Sequence, residues 1–341
     1  MRTKVICMMA LCISILFVAC EKEPNEYEPV KPPVVQPEIP EEPDKPENPD
    51  PEPEQPDEPQ SIKSILTLTI EEIDMKVGTT EWQEIVYGNG RYVAIGLRAN
   101  VATSTDGINW KVLKVGNTNN ASVTYGNGKF VLVNISGYIF TSTDGENWAQ
   151  TFYENCTPMS ITYGNGKFVA IMHSEGWFCI STDGENWTKI PIASGQFFRV
   201  TYGNGKFVAV GRFLEGNYLQ AAMTSTDGIN WTKPVQVANE TASFQKIVYG
   251  NGKFVAVGGN TSTNAFAISS VDGISWTDPF KFNTWYCTDV VYSNGKFVLC
   301  NILSYFSSST DGERWTEMHQ VRNENGEIIT DRSCNSLCVM P

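Results

Sequence analysis

Histidine is nearly missing from this chain: among 341 residues there are only His173 and His319, and neither has a second histidine nearby in sequence. Apart from the close pair Cys334 and Cys338, no Cys or His spacing resembles a ligand set, so a zinc site has little to draw on. Basic clusters are also lacking. Without them the chain cannot build the phosphate-contacting surface that nucleic acid requires, so nucleic acid is not an expected partner. The formal charge is −13, but the sign is unevenly spread: residues 1–20 contribute +2 and residues 21–60 contribute −11, which leaves −4 for residues 61–341. The low pI therefore describes one segment and says little about any binding face.

Proline is sparse outside residues 21–60, which hold thirteen of the eighteen prolines together with fourteen acidic residues and three lysines. Aromatic and β-branched side chains are nearly absent there. Such a stretch cannot bury enough apolar surface to offset its ordering entropy, so it is expected to be an acidic, extended stalk. Before it, Arg2 and Lys4 precede an almost unbroken apolar run from Val5 to Ala19. That run is shorter than the about 20 residues a membrane-spanning helix needs, and has the form of a secretory leader. Its end, Phe17-Val18-Ala19-Cys20, resembles the lipobox of bacterial lipoproteins, with Phe17 where that family usually has Leu. The resemblance implies cleavage before Cys20 and lipidation of Cys20, the only membrane attachment expected. Glu21 to Glu28 resembles the surface-export signals of lipoproteins from the Bacteroides group, which implies an outer-membrane protein facing the exterior, with a periplasm-facing location as the alternative. The expected organisation is a leader at 1–20, a stalk at 21–60 and a folded domain at 61–341.

The folded part is a repeat. Tyr87-Gly88-Asn89-Gly90-Arg91-Tyr92-Val93 recurs from Tyr125, Tyr163, Tyr202, Tyr249 and Tyr292, the last copy carrying Ser293 in place of the first glycine. Asn-Gly between β-rich segments predicts a two-residue hairpin, because both turn positions need positive φ. A second motif, Ser104-Thr105-Asp106-Gly107-Ile108-Asn109-Trp110, recurs from Ser142, Ser181, Ser225, Ser270 and Ser309. Apolar residues on both faces of strands such as Phe207-Val208-Ala209-Val210 require sheets covered on both sides, as in radially stacked blades.

The second motif resembles the Asp box, Ser-x-Asp-Gly-x-x-Trp, of sialidases, sortilin-type receptors and related propellers. The resemblance implies an all-β propeller of four-stranded antiparallel blades, in which Asp106, Asp144, Asp183, Asp227, Asp272 and Asp311 are structural turn residues rather than catalytic or metal-binding ones. Six complete repeats, from about Trp82 to Val321, give six blades. The flanks Ile65–Ile70, Glu327–Thr330 and Leu337–Met340 either pad a six-bladed ring or build a split seventh blade that closes it. Propeller order further suggests disulfides pairing Cys156 with Cys179, Cys287 with Cys300 and Cys334 with Cys338, although buried thiols are an alternative.

Alternate turns of a meandering blade lie on opposite rims, so the Asn-Gly hairpins and the Asp boxes share one face. The other face carries the variable connections, where binding surfaces are commonly grafted. Its candidate ligand-binding residues are Arg98, Asn134, Tyr138, His173, Glu175, Trp177, Arg199, Arg212, Glu215, Tyr218, Asn260, Trp285, Tyr286 and Tyr305. Trp177 is the leading one: an exposed aromatic among Asn, His and Glu suits the apolar face of a sugar ring.

A sialidase would need three arginines, a Tyr–Glu nucleophile pair and an Asp acid/base. Arg98, Arg199 and Arg212 with Tyr218 and Glu215 match only formally, and the Arg-Ile-Pro motif of that family is absent, the region reading Trp82-Gln83-Glu84-Ile85-Val86. Another glycosidase would need two convergent carboxylates, for which Glu175, Glu215 and Asp289 are the candidates. The expected function is non-catalytic recognition of glycan, without a cofactor. An extracellular or periplasmic protein is the alternative partner, with the chain acting as adhesin or assembly scaffold. Replacing Cys20 by Ser is expected to move the chain from the membrane pellet to the soluble fraction when cells are fractionated.

Overall fold

The six Tyr-Gly-Asn-Gly-type runs fold as the tight hairpins their composition demands: the six turn asparagines, from Asn89 to Asn294, have φ between 45° and 49°, and the glycines that follow them lie between 71° and 76°. The structure, a computed structural model, describes residues 4–9, 13–16, 73–74, 82–153, 157–172, 176–192, 195–213, 219–238, 242–260, 264–320 and 334–340. These belong to one unit, residues 1–19 with 68–341. Residues 21–60, expected to form the stalk, with Cys20, the expected strands at Ile65–Ile70 and Glu327–Thr330, and Cys156 lie outside the described residues.

Each repeat is one four-stranded antiparallel blade made of consecutive strands. The six blades run over residues 82–114, 120–152, 158–191, 196–238, 243–282 and 287–320. Their innermost strands are Trp82–Gly88, Asn120–Gly126, Pro158–Gly164, Gln196–Gly203, Ser243–Gly250 and Cys287–Ser293. The fold is thus the all-β propeller with six blades that the repeat predicts. Second strands are buried on both faces, and the cores lie between blades. Val131, Val133 and Ile139 of blade two, for example, pack on Ile161, Phe168 and Trp187 of blade three.

The glycine before each Asn-Gly turn is explained by the neighbouring blade. A Cβ built on Gly88, Gly126, Gly164, Gly203 or Gly250 would overlap the ring of Tyr125, Tyr163, Tyr202, Tyr249 or Tyr292 of the next blade. Each tyrosine therefore lies flat on the backbone of the blade before it. Ser293 departs from the pattern without conflict, because the strand beside blade six, Cys334–Met340, contains no tyrosine.

That last strand closes the ring. Cys334–Met340 packs against the inner strands of both blade six and blade one, so it occupies the place of a further inner strand. It heads a seventh four-stranded sheet whose next members are Lys4–Met9, Ile13–Leu16 and Ile73–Asp74, all antiparallel. Beside the six blades there is thus a split closing sheet, of which the expected strand at Leu337–Met340 forms part. Two of its members, Lys4–Met9 and Ile13–Leu16, lie in the segment expected to be a leader.

The expected Cys287–Cys300 disulfide is not formed. The two are buried thiols in register with Asn301 and Asp289 respectively rather than with each other, and burial pushes both thiols above their ordinary range. Cys334 is disulfide-bonded.

Substituting Gly126 by Ala forces a methyl into the Tyr163 ring and is expected to cost about 1–3 kcal/mol, the usual range for overpacking. Ser293→Gly is expected to cost about 1 kcal/mol at most, a Gly strand effect alone; urea unfolding of both variants checks the difference.

Candidate functional site

The repeated turns are used up by the architecture. In every Ser-x-Asp-Gly turn one carboxylate oxygen accepts two backbone N–H groups, as Asp144 Oδ1 does from Glu146 (2.9 Å) and Asn147 (2.8 Å), while Ser142 Oγ accepts the Gly145 N–H at 2.8 Å. Asp106, Asp183, Asp227, Asp272 and Asp311 repeat the geometry. At Asp144, Asp183 and Asp227 these backbone hydrogen bonds hold the carboxyl well below the usual carboxylate range. At Asp106, Asp272 and Asp311 burial works in the opposite direction, and the hydrogen bonds outweigh it.

The hairpin of one blade also reaches the turn of the next. The side-chain amides of Asn89, Asn127, Asn165 and Asn251 donate to the carbonyls of Thr143, Thr182, Thr226 and Thr310 at 3.1–3.2 Å. Ion pairs Arg91–Glu146, Lys129–Glu185 and Lys253–Glu313 follow the same step. Both repeated turns therefore share one face, where they tie the blades together.

A polar centre that the sequence reading did not single out lies on the axis. Each inner strand of the six blades carries a bulge, and the residue after it stands three positions before the repeated tyrosine: Glu84, Ser122, Ser160, Arg199, Lys246 and Asp289. A bulge re-aims a side chain, and here it turns these six toward one another. Glu84 Oε2 accepts Ser122 Oγ (2.7 Å) and the Val123 N–H (2.9 Å). Ser122 Oγ accepts the Ile161 N–H at 3.2 Å, and Ser160 Oγ the Val200 N–H at 3.4 Å. Asp289 Oδ2 accepts Ser336 Oγ (2.9 Å) and the Leu337 N–H (2.8 Å), the same two-fold clasp Glu84 makes on blade two. Ser336 is thus the axial residue of the closing strand. Arg199, unable to accept, donates instead through Nε to the Gln245 carbonyl and through Nη1 to the Phe198 carbonyl.

Across this ring Lys246 Nζ spans from blade five to Glu84 Oε1 of blade one at 2.6 Å and lies 4.0 Å from Asp289 Oδ1. Burial lowers the lysine's affinity for its proton, but the Asp289 and Glu84 carboxylates outweigh it and its pKa rises. Burial likewise works to raise Glu84, yet its bonds to Lys246 bring it below its ordinary value, whereas at Asp289 burial prevails and the pKa is raised. Arg199 is lowered by burial. Two acids and two bases sum to zero charge. Both carboxylates are engaged in hydrogen bonds that hold strands in place.

The structure redistributes the candidates on the variable face. Asn134 is fully buried: its Oδ1 accepts the N–H groups of Ser136 and Tyr138 and its Nδ2 donates to Thr118 Oγ1, so it shapes its own loop and is not a ligand contact. Arg199 belongs to the axial ring. Trp177 is half-buried and packed into the core shared by blades two and three, with Lys189 Nζ 4.4 Å from its ring centroid. Its expected open ring face is therefore covered by a lysine. Arg212 clasps Gln196 Oε1 through Nε (3.0 Å) and Nη2 (2.7 Å) and lies over Phe198. Tyr138 packs at a tilt against Phe152 and Phe140, ring centroids 4.9 Å and 6.3 Å away. Asn260 is half-buried. Arg98 is exposed in a left-handed loop, φ 57°, whose N–H is held by Asn119 Oδ1. His173, Glu175, Glu215 and Tyr218 lie outside the described residues.

The structure does gather one group on this face. On blade six, Asn301 repeats the role of Asn134: its Oδ1 accepts the Leu303 and Tyr305 N–H groups, and its Nδ2 donates to Thr284 Oγ1 at 2.7 Å. That bond ties the loop of Leu303 and Tyr305 to the segment of Trp285 and Tyr286. Trp285 is 46% and Leu303 43% exposed, whereas Tyr286 and Tyr305 are half-buried. Among the described residues no three His, Cys, Asp or Glu side chains group as a metal site.

No protein-family profile matches the chain, and no curated protein matches it. Solved structures do. A catalytically inactive virginiamycin B lyase from Staphylococcus aureus with quinupristin is similar over 77% of this chain and 95% of its own, at 13% identity and a TM-score of 0.62. YCF48 bound to D1 peptide covers 75% and 91%, at 15% identity and 0.54. The WD40 propeller domain of Doa1 covers 76% and 92%, at 11% identity and 0.55. At these identities the likeness is one of fold: the chain is a β-propeller, as these proteins are.

Removing the cation that neutralises the axis should cost far more than breaking an ion pair on the rim. Lys246→Ala is expected to destabilise by about 2–4 kcal/mol, since it leaves two carboxylates facing each other at the axis. Lys129→Ala, which breaks the exposed pair with Glu185, is expected to cost under about 1 kcal/mol. Urea denaturation midpoints of the two variants give the comparison.

Proposed function

We propose that the chain is a non-catalytic binding propeller that docks an extended segment of a protein partner on the face opposite the repeated turns, centred on blade six. The observation that carries this reading is the patch of Trp285, Tyr286, Leu303 and Tyr305, held together by the Asn301–Thr284 bond. A half-exposed tryptophan beside an aliphatic side chain and two tyrosines has the aromatic-centred make-up of a protein-binding hot spot. Ile135, 46% exposed at the corresponding loop of blade two, extends the apolar character of the same face.

Peptide is favoured over glycan by two features. Trp177, on which sugar stacking was expected, is capped by Lys189, and the exposed groups that remain include Ile135 and Leu303, which offer no hydrogen bonds to hydroxyls. YCF48, of the same fold, binds a peptide, which is consistent with this reading. A non-catalytic role is supported by Glu84 and Asp289, whose oxygens are engaged in joining strands. In this reading a lipid on Cys20 and the acidic stalk hold the propeller at the outer membrane, facing the exterior, with the periplasmic side as the alternative placement. No cofactor takes part.

Selection of a random peptide library on the immobilised chain is expected to enrich apolar peptides whose binding falls at least about tenfold in Trp285→Ala and in Leu303→Ser and is unchanged in Trp177→Ala. A glycan array run in parallel decides the alternative. Saturable glycan binding, with no peptide enriched, overturns the protein reading.

A further inference from the structure

The face of the repeated turns is not the same all the way round. In blades two, three and six a glutamate follows the Asp-Gly pair and meets the hairpin cation of the blade before, as Arg91–Glu146, Lys129–Glu185 and Lys253–Glu313. Blades four and five carry Ile229 and Ile274 at that position, while the cations that face it, Lys167 and Lys206, are retained. Val271 likewise replaces the threonine that precedes the turn aspartate in the other five repeats. These three aliphatic side chains are 40–58% exposed. Ile108 holds the same position in blade one, but the strand before that blade is Cys334–Met340, which brings no hairpin lysine.

The bonding breaks at the same two seams. Lys206 Nζ donates to the Asp272 carbonyl at 3.1 Å, a neutral acceptor, because Asp272 Oδ1 is taken by the N–H groups of Ile274 and Ser275. Among the described residues Lys167 has no carboxylate within ion-pair distance. Asn165 donates to the Thr226 carbonyl at 3.1 Å, whereas Asn204 makes no such bond to Val271. Apolar side chains scattered singly on a surface are ordinary, but contiguous ones rimmed by polar groups mark an interaction site.

We propose that this surface, over the seams joining blades three, four and five, is a second docking site, for a protein segment that carries acidic side chains beside aliphatic ones. Carboxylates of the segment take the places that Glu146, Glu185 and Glu313 fill on other blades, and its aliphatic side chains cover Ile229, Val271 and Ile274. Charge complementarity selects this occupant, since the groups left without acids are both cations. A second copy docked about a two-fold axis would present the same lysines to itself. Three aliphatic side chains and two lysines are also few beside the roughly 20–30 residues a side of a standard interface, and suit a short segment. The site lies on the face opposite Trp285, so one propeller holds two segments at once.

The test titrates a fluorescently labelled peptide of alternating glutamate and leucine with the full chain and follows its anisotropy. Saturable binding is expected, weakened at least about tenfold in the double variant Ile229→Glu and Ile274→Glu. That variant gives blades four and five the residue that blades two, three and six already carry, so its urea midpoint is expected to be unchanged or higher, and lost binding is then not lost fold. Trp285→Ala is expected to leave this binding intact, which separates the site from the one proposed on the opposite face. No binding by the wild type, equal binding of a glutamate–serine peptide, or binding that survives the double variant overturns the proposal. A dimer in sedimentation that dissociates in the double variant overturns it in favour of a second copy.

Discussion

Four charged side chains meet at one level of the propeller axis, and the ring can close only because they cancel. Lys246 reaches from blade five to Glu84 on blade one and lies near Asp289 on blade six, while Arg199 is satisfied by backbone carbonyls of blades four and five. Taking one such ion out of water costs several kcal/mol after relaxation, so each of them is held there by partners. Their neighbours complete the circle: where the axial residue can accept, it takes the N–H of the next inner strand, as Glu84, Ser122, Ser160 and Asp289 do. Blade-to-blade register is set here, and the bulges before these residues are the backbone's means of aiming them.

The outer half of the molecule obeys a different constraint. Neighbouring blades must approach closely enough for a tyrosine ring to lie on a glycine backbone, and this recurs five times around the ring. The asparagine directly after that tyrosine's glycine partner and the capped aspartate turns then lock the same edge. These groups recur because each blade repeats the same neighbour problem. For that reason they were readable in the sequence: hairpins, blade number and the shared face of the two turns all follow from residue types whose backbone requirements are local.

What sequence reasoning missed was not local. The axial residues occupy one position of the repeat, three before the tyrosine, and vary there among Glu, Ser, Ser, Arg, Lys and Asp. Charge variation at one fixed position of the repeat was the available signal, and the cancelling charge was the clue that the side chains meet. Trp177 and Asn134 illustrate the converse. Both stand on the variable face, but position in a connection does not fix where a side chain points. One is drawn into the core under Lys189 and the other into its own loop, whereas Asn301, in the same structural role, leaves Trp285 and Leu303 exposed. The unformed Cys287–Cys300 bridge has a similar cause: two residues in adjacent strands of one blade are near in space, yet a one-step difference in register pairs each with another residue.

The end of the ring carries the last consequence of the axial constraint. Asp289 needs donors from a following strand, because a buried carboxylate without them would hold its charge at high cost. Blade six has no seventh repeat after it, and Cys334–Met340 supplies the donors through Ser336 and Leu337. One strand satisfies the acid but cannot satisfy its own outer edge, so the site that completes the charge balance creates a new demand for backbone partners. The strand Lys4–Met9, antiparallel to Cys334–Met340, meets that demand. Closure of the ring is in this way a hydrogen-bonding requirement passed from the axis to the edge of the last strand.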